Sequence, residues 1–264
     1  MTALSWGFTI FICLYLFLVG ACCASFLLVV VHRTITPGSL PFFKGRSHCD
    51  ACGAVLTARD LVPVFSWIVH KGRCRHCGQP LSPLYPISEL IGGLAAAWAF
   101  AAYPLSPGKL ALCLLAGAFL LLIGLYDGLT MEIPDLYTLL LCLPAVLSVW
   151  IFPEISLTSR IIGLFVISLP LLIITLIIPG AFGGGDIQLM AVCGFMLGWQ
   201  NTLVAFMIAL LLACGQAIVL FATGRAQPGQ RQHMPFGPAL CAGSYLALLF
   251  GTPIVQWYLS FFPA

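Results

Sequence analysis

Residues 120–135 read LLLIGLYDGLTMEIPD. The apolar run ends at the carboxylate of Asp127, and a proline, Pro134, follows shortly afterwards. A second break, AFGGGDIQLM at residues 181–190, carries Asp186 directly after three glycines and before another apolar run. A carboxylate beside hydrocarbon costs about a few kcal/mol unless it is neutralised, paired or hydrated. Because only 7% of the residues are charged, we expect both acids to have a function.

The composition is that of a membrane protein. Hydrophobic residues make up 61% of the chain and aromatic residues 12%, and the mean hydropathy is +1.08, all above the values of ordinary soluble domains. A helix needs about 20 apolar residues to cross a bilayer. The sequence therefore predicts an all-α polytopic membrane protein with about eight transmembrane helices, the sixth of them short, near residues 7–31, 87–104, 109–127, 136–152, 159–179, 187–199, 201–222 and 236–258.

The first apolar segment differs from a cleavable signal. It has no basic residue before its apolar run, and it stays apolar as far as Val31, whereas a signal has a basic start and a shorter apolar core. We expect residues 1–31 to remain as the first transmembrane helix.

The basic residues predict the orientation. The net charge is +3, and 9 of the 11 Lys and Arg residues fall in loops that eight spans would place on one side. Those loops are residues 32–86, 127–135, 180–186 and 223–235. Lys109 and Arg160 remain on the other side, so the excess of basic residues predicts an external amino terminus and four cytoplasmic loops. Two spans separate Asp127 from Asp186, which puts both acids at the cytoplasmic face.

Two CxxC motifs lie in the large polar segment, residues 32–86. Cys49 and Cys52 form CDAC, and after a gap of 21 residues Cys74 and Cys77 form CRHC. Four thiolates at this spacing suit a tetrahedral zinc ion that holds a fold and leaves no position open for chemistry. A cytoplasmic location also favours thiolates over disulfides. The sequence therefore predicts a small cytoplasmic zinc-binding insertion with structural Zn²⁺.

The remaining cysteines and the loop histidines have simpler interpretations. Eight cysteines lie in apolar runs and are expected to be small buried hydrophobic residues: Cys13, Cys22, Cys23, Cys113, Cys142, Cys193, Cys214 and Cys241. His48 and His76 flank the CxxC motifs, where either could replace a thiolate or lie in solvent as a loop histidine. His233 could titrate near neutrality, or it could be an ordinary loop histidine.

Each aspartate has an alternative role. Asp127 could be a helix-end acid that contacts water, and Asp186 could cap the helix that follows it. Gly183, Gly184 and Gly185 allow unusual dihedral angles and close approach of another backbone, so we interpret them as an active-site loop. Asp135 suits the start of a helix as a capping residue.

Two carboxylates within hydrogen-bond reach share one proton and titrate as a pair. The ionised member can take a proton from water while the protonated member polarises a peptide carbonyl, which is aspartic proteolysis and needs no cofactor. Catalysis by serine or cysteine has less support, because the chain contains no GxSxG motif and no Cys clearly paired with a His outside the CxxC motifs. We predict that Asp127 and Asp186 are the catalytic pair.

Several motifs together resemble the prepilin peptidases, which are type IV leader peptidases of the GxGD membrane aspartyl protease family. They are GACCASFLLVVVHR (20–33), CDAC with CRHC, LYPISELIGG (84–93), YDGLTMEIPD (126–135), GGGDIQLMAVCGFMLGW (183–199) and MPFGPAL (234–240). The resemblance covers residues 18–245. It implies an enzyme of the bacterial inner membrane that cuts the basic leader of type IV pilin or type II secretion pseudopilin precursors after a glycine, on the cytoplasmic side. Its catalytic aspartates correspond to Asp127 and Asp186, and residues 87–264 become the membrane protease domain.

Many members of that family also methylate the new amino terminus with S-adenosylmethionine, so the resemblance implies a second activity. Leu28 and Gln188 depart from the family pattern, which often has asparagine and lysine there, and this weakens the expectation of methylation more than that of cleavage. Glu89 either lines the cytoplasmic cavity or is a first-turn acid. MPFGPAL either shapes the active site or marks a helix start.

Partners follow from the same resemblance: pilin or pseudopilin precursors, the pilus or secretion machinery and membrane lipid, but not nucleic acid. The insertion is itself basic and would repel a basic leader, unless its basic side chains bind anionic lipid or nearby acids face the leader. Those acids are Asp50, Asp60, Glu89, Glu132 and Asp135. Two other classes remain open: a proton- or metal-coupled transporter, and a non-catalytic assembly factor with a zinc ribbon.

Overall fold

The computed structural model describes residues 6–36, 47–49, 51–223 and 234–262. Within these ranges the regular secondary structure is helical, with two isolated β-bridges. The helices are α1 (Trp6–Ile35), α2 (Phe65–Val69), α3 (Leu84–Ala102), α4 (Pro107–Thr130), α5 (Asp135–Ile151), α6 (Leu157–Val166), α7 (Ser168–Ile177), α8 (Gly184–Leu197), α9 (Trp199–Ala222) and α10 (Gly237–Leu259).

The helices confirm the predicted all-α membrane fold. Among the described residues, six segments are long and apolar enough to cross a membrane: α1, α3, α4, α6 with α7, α9 and α10. The other two predicted spans form α5, with 17 residues, and α8, with 14 residues. All eight predicted segments are therefore helical, and α8 is the short one that the sequence predicts. Asp50 and His233 lie outside the described residues.

The chain divides into two compact units, Met1–Ala101 and Ala102–Ala264. In the first unit, α1 and α3 pack at a contact of small residues. A Cβ atom on Gly20 would lie 2.4 Å from the carbonyl oxygen of Gly92, and one on Gly93 would lie 2.7 Å from the Phe17 ring. Small residues let membrane helices approach each other closely. The sequence-based boundary at residue 87 falls inside this unit and stays a prediction.

The second unit uses the same kind of packing. A Cβ atom on Gly163 of α6 would lie 2.3 Å from the Gly194 carbonyl oxygen, and one on Gly194 of α8 would lie 2.1 Å from the Gly163 carbonyl oxygen. Between α9 and α10, a Cβ atom on Gly243 would lie 2.3 Å from the Ala205 carbonyl oxygen. These contacts hold α8 and α10, which carry the candidate site, against their neighbours.

Arg160 joins the ends of two helices. Its side chain is fully buried, with 0% exposed, which the count of basic residues did not predict. The guanidinium donates to the carbonyl oxygens of Ser148 and Phe152 at the end of α5, both at 2.9 Å, and to that of Met196 at the end of α8, at 3.1 Å. The last carbonyls of a helix lack partners within it, so one cation satisfies both ends.

Candidate active site and metal centre

Asp127 lies in the last turn of α4, and its side chain is 5% exposed. The helix stops soon after it because Met131 adopts a left-handed conformation with φ 58° and donates its N–H to the Asp127 carbonyl at 2.8 Å. Asp127 is therefore an acid at the end of a helix, and it is also buried. Its burial requires partners for the carboxylate.

The partner of Asp127 comes from the start of α10. The backbone N–H of Gly237 donates to Oδ2 of Asp127 at 2.9 Å. Gly237 is the first residue of α10, where backbone N–H groups have no acceptor within the helix and the dipole favours an anion. A Cβ atom on Gly237 would lie 2.6 Å from that Oδ2. The MPFGPAL motif thus marks a helix start and also binds the Asp127 carboxylate.

Asp186 is the third residue of α8 and is half-buried. The N-cap position belongs to Gly183, so the alternative of Asp186 as the N-cap residue is wrong. The carboxylate reaches back to accept the Gly183 N–H at 3.3 Å, while the Asp186 N–H donates to the Gly183 carbonyl at 3.1 Å. Glycine has no side chain to accept a bond, so this is the carboxylate half of a capping box.

The two carboxylates lie within electrostatic range of each other. Asp127 and Asp186 interact electrostatically, and both interact with the buried thiol of Cys241 in α10. Cys241 follows Gly237 by one helical turn, so α10 contributes both a hydrogen-bond donor and a thiol. The sequence indicated Cys241 only as a buried hydrophobic residue, because the spacing within one helix does not reveal which other helices it meets.

The three consecutive glycines have different surroundings. A Cβ atom on Gly185 would lie 2.6 Å from Cβ of Ile133, in the loop between α4 and α5. A Cβ atom on Gly184 would meet nothing within 4 Å, and one on Gly183 would meet only the Asp186 carboxylate, at 3.3 Å. The start of α8 lies against the loop that follows Asp127, and this close contact requires glycine at position 185.

A groove of about 450 Å³ lies between α5 and α8, with Asp135, Thr138 and Gln188 as its polar lining residues. Asp135 is the first residue of α5 and is exposed. The predicted capping role of Asp135 is wrong: Pro134 occupies the N-cap, and α5 has no side-chain capping bond. Asp135 still lies in the first turn, where a negative charge complements the helix dipole.

The cysteine tetrad assembles as the sequence predicts. The Sγ atoms of Cys49, Cys52, Cys74 and Cys77 all lie within 4.8 Å of one another. Those of Cys49 and Cys77 are 3.9 Å apart, close to the ~3.8 Å that a tetrahedron of 2.3 Å zinc–sulfur bonds requires. The four thiols therefore fit a zinc ion. His48 and His76 are not members of this group.

Both CxxC motifs fold in the same way. The Gly53 N–H donates to the Cys49 carbonyl at 2.8 Å, and the Gly78 N–H donates to the Cys74 carbonyl at 2.9 Å. Each glycine has a positive φ, 69° and 74° respectively, which glycine adopts at little cost. Isolated bridges between residues 48 and 55 and between residues 73 and 80 close the two turns.

The backbone of the second motif prepares a thiolate. The N–H groups of Cys77 and His76 lower the pKa of the Cys74 thiol to about 6. The pKa of the Cys77 thiol rises to about 11, because burial and the neighbouring thiols outweigh a hydrogen bond from Gln79. The first thiolate forms readily and the later ones need a nearby positive charge, as a bound metal ion provides.

Two family descriptions cover most of the chain. Residues 18–103 match the Bacterial Peptidase A24 N-terminal domain, and residues 114–218 match the Type IV leader peptidase family. A prepilin leader peptidase/N-methyltransferase of Bacillus subtilis is 34% identical over 92% of this chain and 96% of its own length. The chain belongs to the type IV leader peptidase family.

Other relatives agree with this assignment. Proteins of the same name from Burkholderia pseudomallei and Aeromonas hydrophila are 38% and 32% identical, over 79% and 82% of this chain and 68% and 76% of their own lengths. No solved structure matches the chain. In this family member the cysteine tetrad falls in the matched N-terminal domain, and both aspartates fall in the matched leader peptidase region.

Glu89 has a contact that neither sequence interpretation included. It is the sixth residue of α3, beyond the first turn, and it is buried. Its Oε2 accepts the backbone N–H of Val64 at 2.7 Å. Glu89 therefore ties the insertion of this family member to the second turn of α3.

Proposed function

We propose that this chain is a membrane aspartic endopeptidase that removes the leader of type IV prepilins or type II secretion pseudopilins. The observation that carries the proposal is the electrostatic interaction between Asp127 and Asp186, which come from different helices of an apolar unit. The family supports the same activity, and the relatives from Bacillus subtilis and Burkholderia pseudomallei have prepilin leader peptidase in their names.

The pair would work by sharing one proton. The ionised carboxylate accepts a proton from the attacking water while the protonated one donates a hydrogen bond to the scissile carbonyl. When the tetrahedral intermediate collapses, the second proton transfer releases the new amine. The carboxyl group that took the proton from water gives it to the leaving nitrogen, and the other carboxyl group serves the carbonyl oxygen, so the two aspartates account for every proton transfer.

Helix ends explain how acids can stay ionised so close to hydrocarbon. Asp127 accepts a bond from the first N–H of α10, and Asp186 lies in the first turn of α8. The positive ends of both helices stabilise negative charge. The bond to Asp127, at 2.9 Å, is shorter than the 3.3 Å bond to Asp186, which favours Asp127 as the member that carries the charge.

The substrate can reach the pair from the membrane. A precursor with a basic leader and an apolar helix would leave its helix in the bilayer and its cleavage site at the surface. The excess of basic residues in the predicted cytoplasmic loops supports a position of this surface on the cytoplasmic side of the bacterial inner membrane. The active-site loop would then consist of Gly183, Gly184 and Gly185, with Gly184 leaving space for a peptide backbone.

A second activity follows from the same relatives, whose names include N-methyltransferase. We propose that the chain transfers a methyl group from S-adenosylmethionine to the amino terminus that cleavage exposes. Peptide cleavage by the aspartates does not depend on this methyl donor. The insertion, residues 32–86, would hold structural zinc through its four thiols, and the substrates would pass to pilus or secretion machinery.

Cleavage of a prepilin substrate by the full chain in liposomes tests the proposal. Asp127→Asn and Asp186→Asn should each abolish cleavage while the proteins elute as the wild type does in size-exclusion chromatography. Asp135→Asn is the matched control, because this exposed acid lies in the groove and outside the pair. Labelled S-adenosylmethionine, present throughout, should label the cleaved product of the wild type and of Asp135→Asn, and give no labelled product with Asp127→Asn or Asp186→Asn.

The other outcomes identify the competing functions. Cleavage that persists in either aspartate variant would remove that residue from catalysis. Ion uptake without cleavage would favour the transporter, and assembly that survives loss of both aspartates would favour a non-catalytic factor. Cleavage without label transfer would contradict the second activity and leave the peptidase intact.

A further inference from the structure

The short helix α2 turns an apolar face outwards. Phe65, Ile68 and Val69 are spaced at i, i+3 and i+4, and 64%, 61% and 54% of their surfaces are exposed; we call these three residues the α2 apolar face. Trp67, by contrast, packs on Gly72, where a Cβ atom would lie 2.7 Å from its ring. Trp67 therefore anchors the helix, and among the residues that the structure describes none covers its apolar face, which marks an interaction surface.

Both ends of α2 are fixed. Before it, the Phe65 N–H donates to the Pro63 carbonyl at 2.6 Å around Val64, which has φ 61°. This is a γ-turn of the strained, positive-φ kind. After it, the Lys71 N–H donates to the Ile68 carbonyl and the Gly72 N–H to the Trp67 carbonyl, as in a Schellman motif. The orientation of the apolar face is therefore set by the backbone.

The depth of α2 is set by Glu89. The Val64 N–H, at the start of α2, donates to Glu89 Oε2 at 2.7 Å. Glu89 follows Leu84, the first residue of α3, by five positions, which is about 8 Å along the helix axis. The bond therefore places the start of α2 beside the second turn of α3. Because α3 is long and apolar enough to span a membrane, we take its first two turns, and α2 with them, to lie near the bilayer surface.

The charges around α2 suit an anionic surface. Lys71 and Arg73 follow the helix directly and are exposed. The nearby acids are engaged inside the unit: Glu89 accepts the Val64 N–H, and Asp60 accepts the hydroxyl of Thr57 at 2.6 Å, which holds the pKa of Asp60 below its usual value. The insertion therefore presents basic groups beside the apolar face and keeps these two acids occupied.

We infer that the α2 apolar face, with Lys71 and Arg73, docks on the anionic headgroup surface of the bilayer that holds the protein. Aromatic and aliphatic side chains of an interfacial helix enter the boundary between headgroups and acyl chains, while adjacent Lys and Arg side chains bind anionic lipid. The docking holds the zinc-binding insertion flat against the membrane. It accounts for the basic charge of the insertion without requiring contact with a basic leader.

Photo-crosslinking of the full chain in nanodiscs tests the docking. p-Benzoylphenylalanine replaces Phe65 in one variant and Val55, an exposed apolar residue next to the first CxxC motif, in the control. Lipid adducts, counted by mass spectrometry, should be about tenfold more abundant at position 65. Phosphatidylglycerol should increase the yield over phosphatidylcholine alone, and Lys71→Gln with Arg73→Gln should remove that increase.

Three results would overturn the inference. The first is an equal yield of lipid adducts at positions 65 and 55. The second is a yield at position 65 that is the same with phosphatidylglycerol as with phosphatidylcholine alone. The third is an adduct at position 65 that forms with an added prepilin in place of lipid, which would make the face a substrate site. Hydrogen exchange of residues 61–73 in the unlabelled protein supplies a second measurement, because Phe65→Ser with Ile68→Ser should accelerate exchange in nanodiscs if the face is buried in lipid.

Discussion

The backbone N–H of Gly237 donates a hydrogen bond to Oδ2 of Asp127 at 2.9 Å, across 110 residues of chain. This bond joins the end of α4 to the start of α10 and gives a buried carboxylate a partner at a positive helix end. It also explains why glycine stands at the start of the last helix, since any Cβ atom there would collide with the carboxylate.

We predict that Gly237→Ala reduces cleavage at least about tenfold. The added methyl group would lie 2.6 Å from Asp127 Oδ2, so the carboxylate must move, and overpacking of this kind costs about 1–3 kcal/mol. Gly128→Ala is the control, because its Cβ atom would make an ordinary contact of 3.6 Å with Pro238. Steady-state cleavage kinetics of both variants decide the point; equal activity would show that Asp127 does not need its present position.

Gly185→Ala and Gly184→Ala should differ although the residues are adjacent. A Cβ atom on Gly185 would lie 2.6 Å from Ile133, whereas one on Gly184 would meet nothing within 4 Å. We expect Gly185→Ala to destabilise the protein by about 1–3 kcal/mol and to lower kcat. Gly184→Ala should leave thermal stability unchanged or raise it slightly, because alanine favours a helix. Similar melting curves for the two variants would contradict this division of roles.

Removal of two thiols should empty the metal site. Cys49→Ser with Cys74→Ser leaves only two of the four ligands, so the zinc content of the purified protein should fall from about one ion per chain to near zero. Cys22→Ser with Cys23→Ser is the control, since these exposed cysteines lie in α1. Elemental analysis and limited proteolysis of the insertion measure the result. Full zinc content in the first variant would refute the assignment.

Arg160→Met should destabilise the second unit by about 3 kcal/mol or more. The substitution leaves several buried carbonyl oxygens at the ends of α5 and α8 without a donor, and each unsatisfied group costs about 1–3 kcal/mol. The stability of Arg160→Lys should lie between those of the wild type and of Arg160→Met, because an ammonium group has three donors and a guanidinium has five. Thermal unfolding in detergent measures the order.

Arg59→Lys, at an exposed position of the insertion, is the control for the arginine series. It should unfold at the temperature of the wild type, because an exposed guanidinium donates no bond that the buried core requires. A melting temperature of Arg160→Met equal to that of the wild type would show that the two helix ends find other partners.

The sequence predicted the outlines of the site because the relevant signals are local. Apolar runs give membrane helices, and two CxxC motifs give a group of four thiols, whatever the rest of the chain does. Asp127 and Asp186 could be predicted as a pair for a related reason: an acid beside a long apolar run costs free energy, which indicates a function. The even number of spans between them then predicted that both acids lie at the same face of the membrane.

Contacts with a distant part of the chain could not be predicted. The burial of Arg160 was not expected, since its sequence neighbours give no hint that the ends of α5 and α8 converge on it. Glu89 lies beyond the first turn of α3, and its contact with Val64 was not predicted because 25 residues separate the two. Asp135 was expected to be a cap, but Pro134 occupies the N-cap position and Asp135 is the first residue of the helix.

The sequence by itself determined the class of the molecule, its helices, its group of four thiols and the candidate acids, because composition, periodicity and spacing act along the chain. The tertiary structure decided which glycine of three must be small, which N–H binds Asp127, and which thiol lies near both acids. Those relationships depend on how helices cross, and a crossing is fixed by packing between residues that are far apart in sequence.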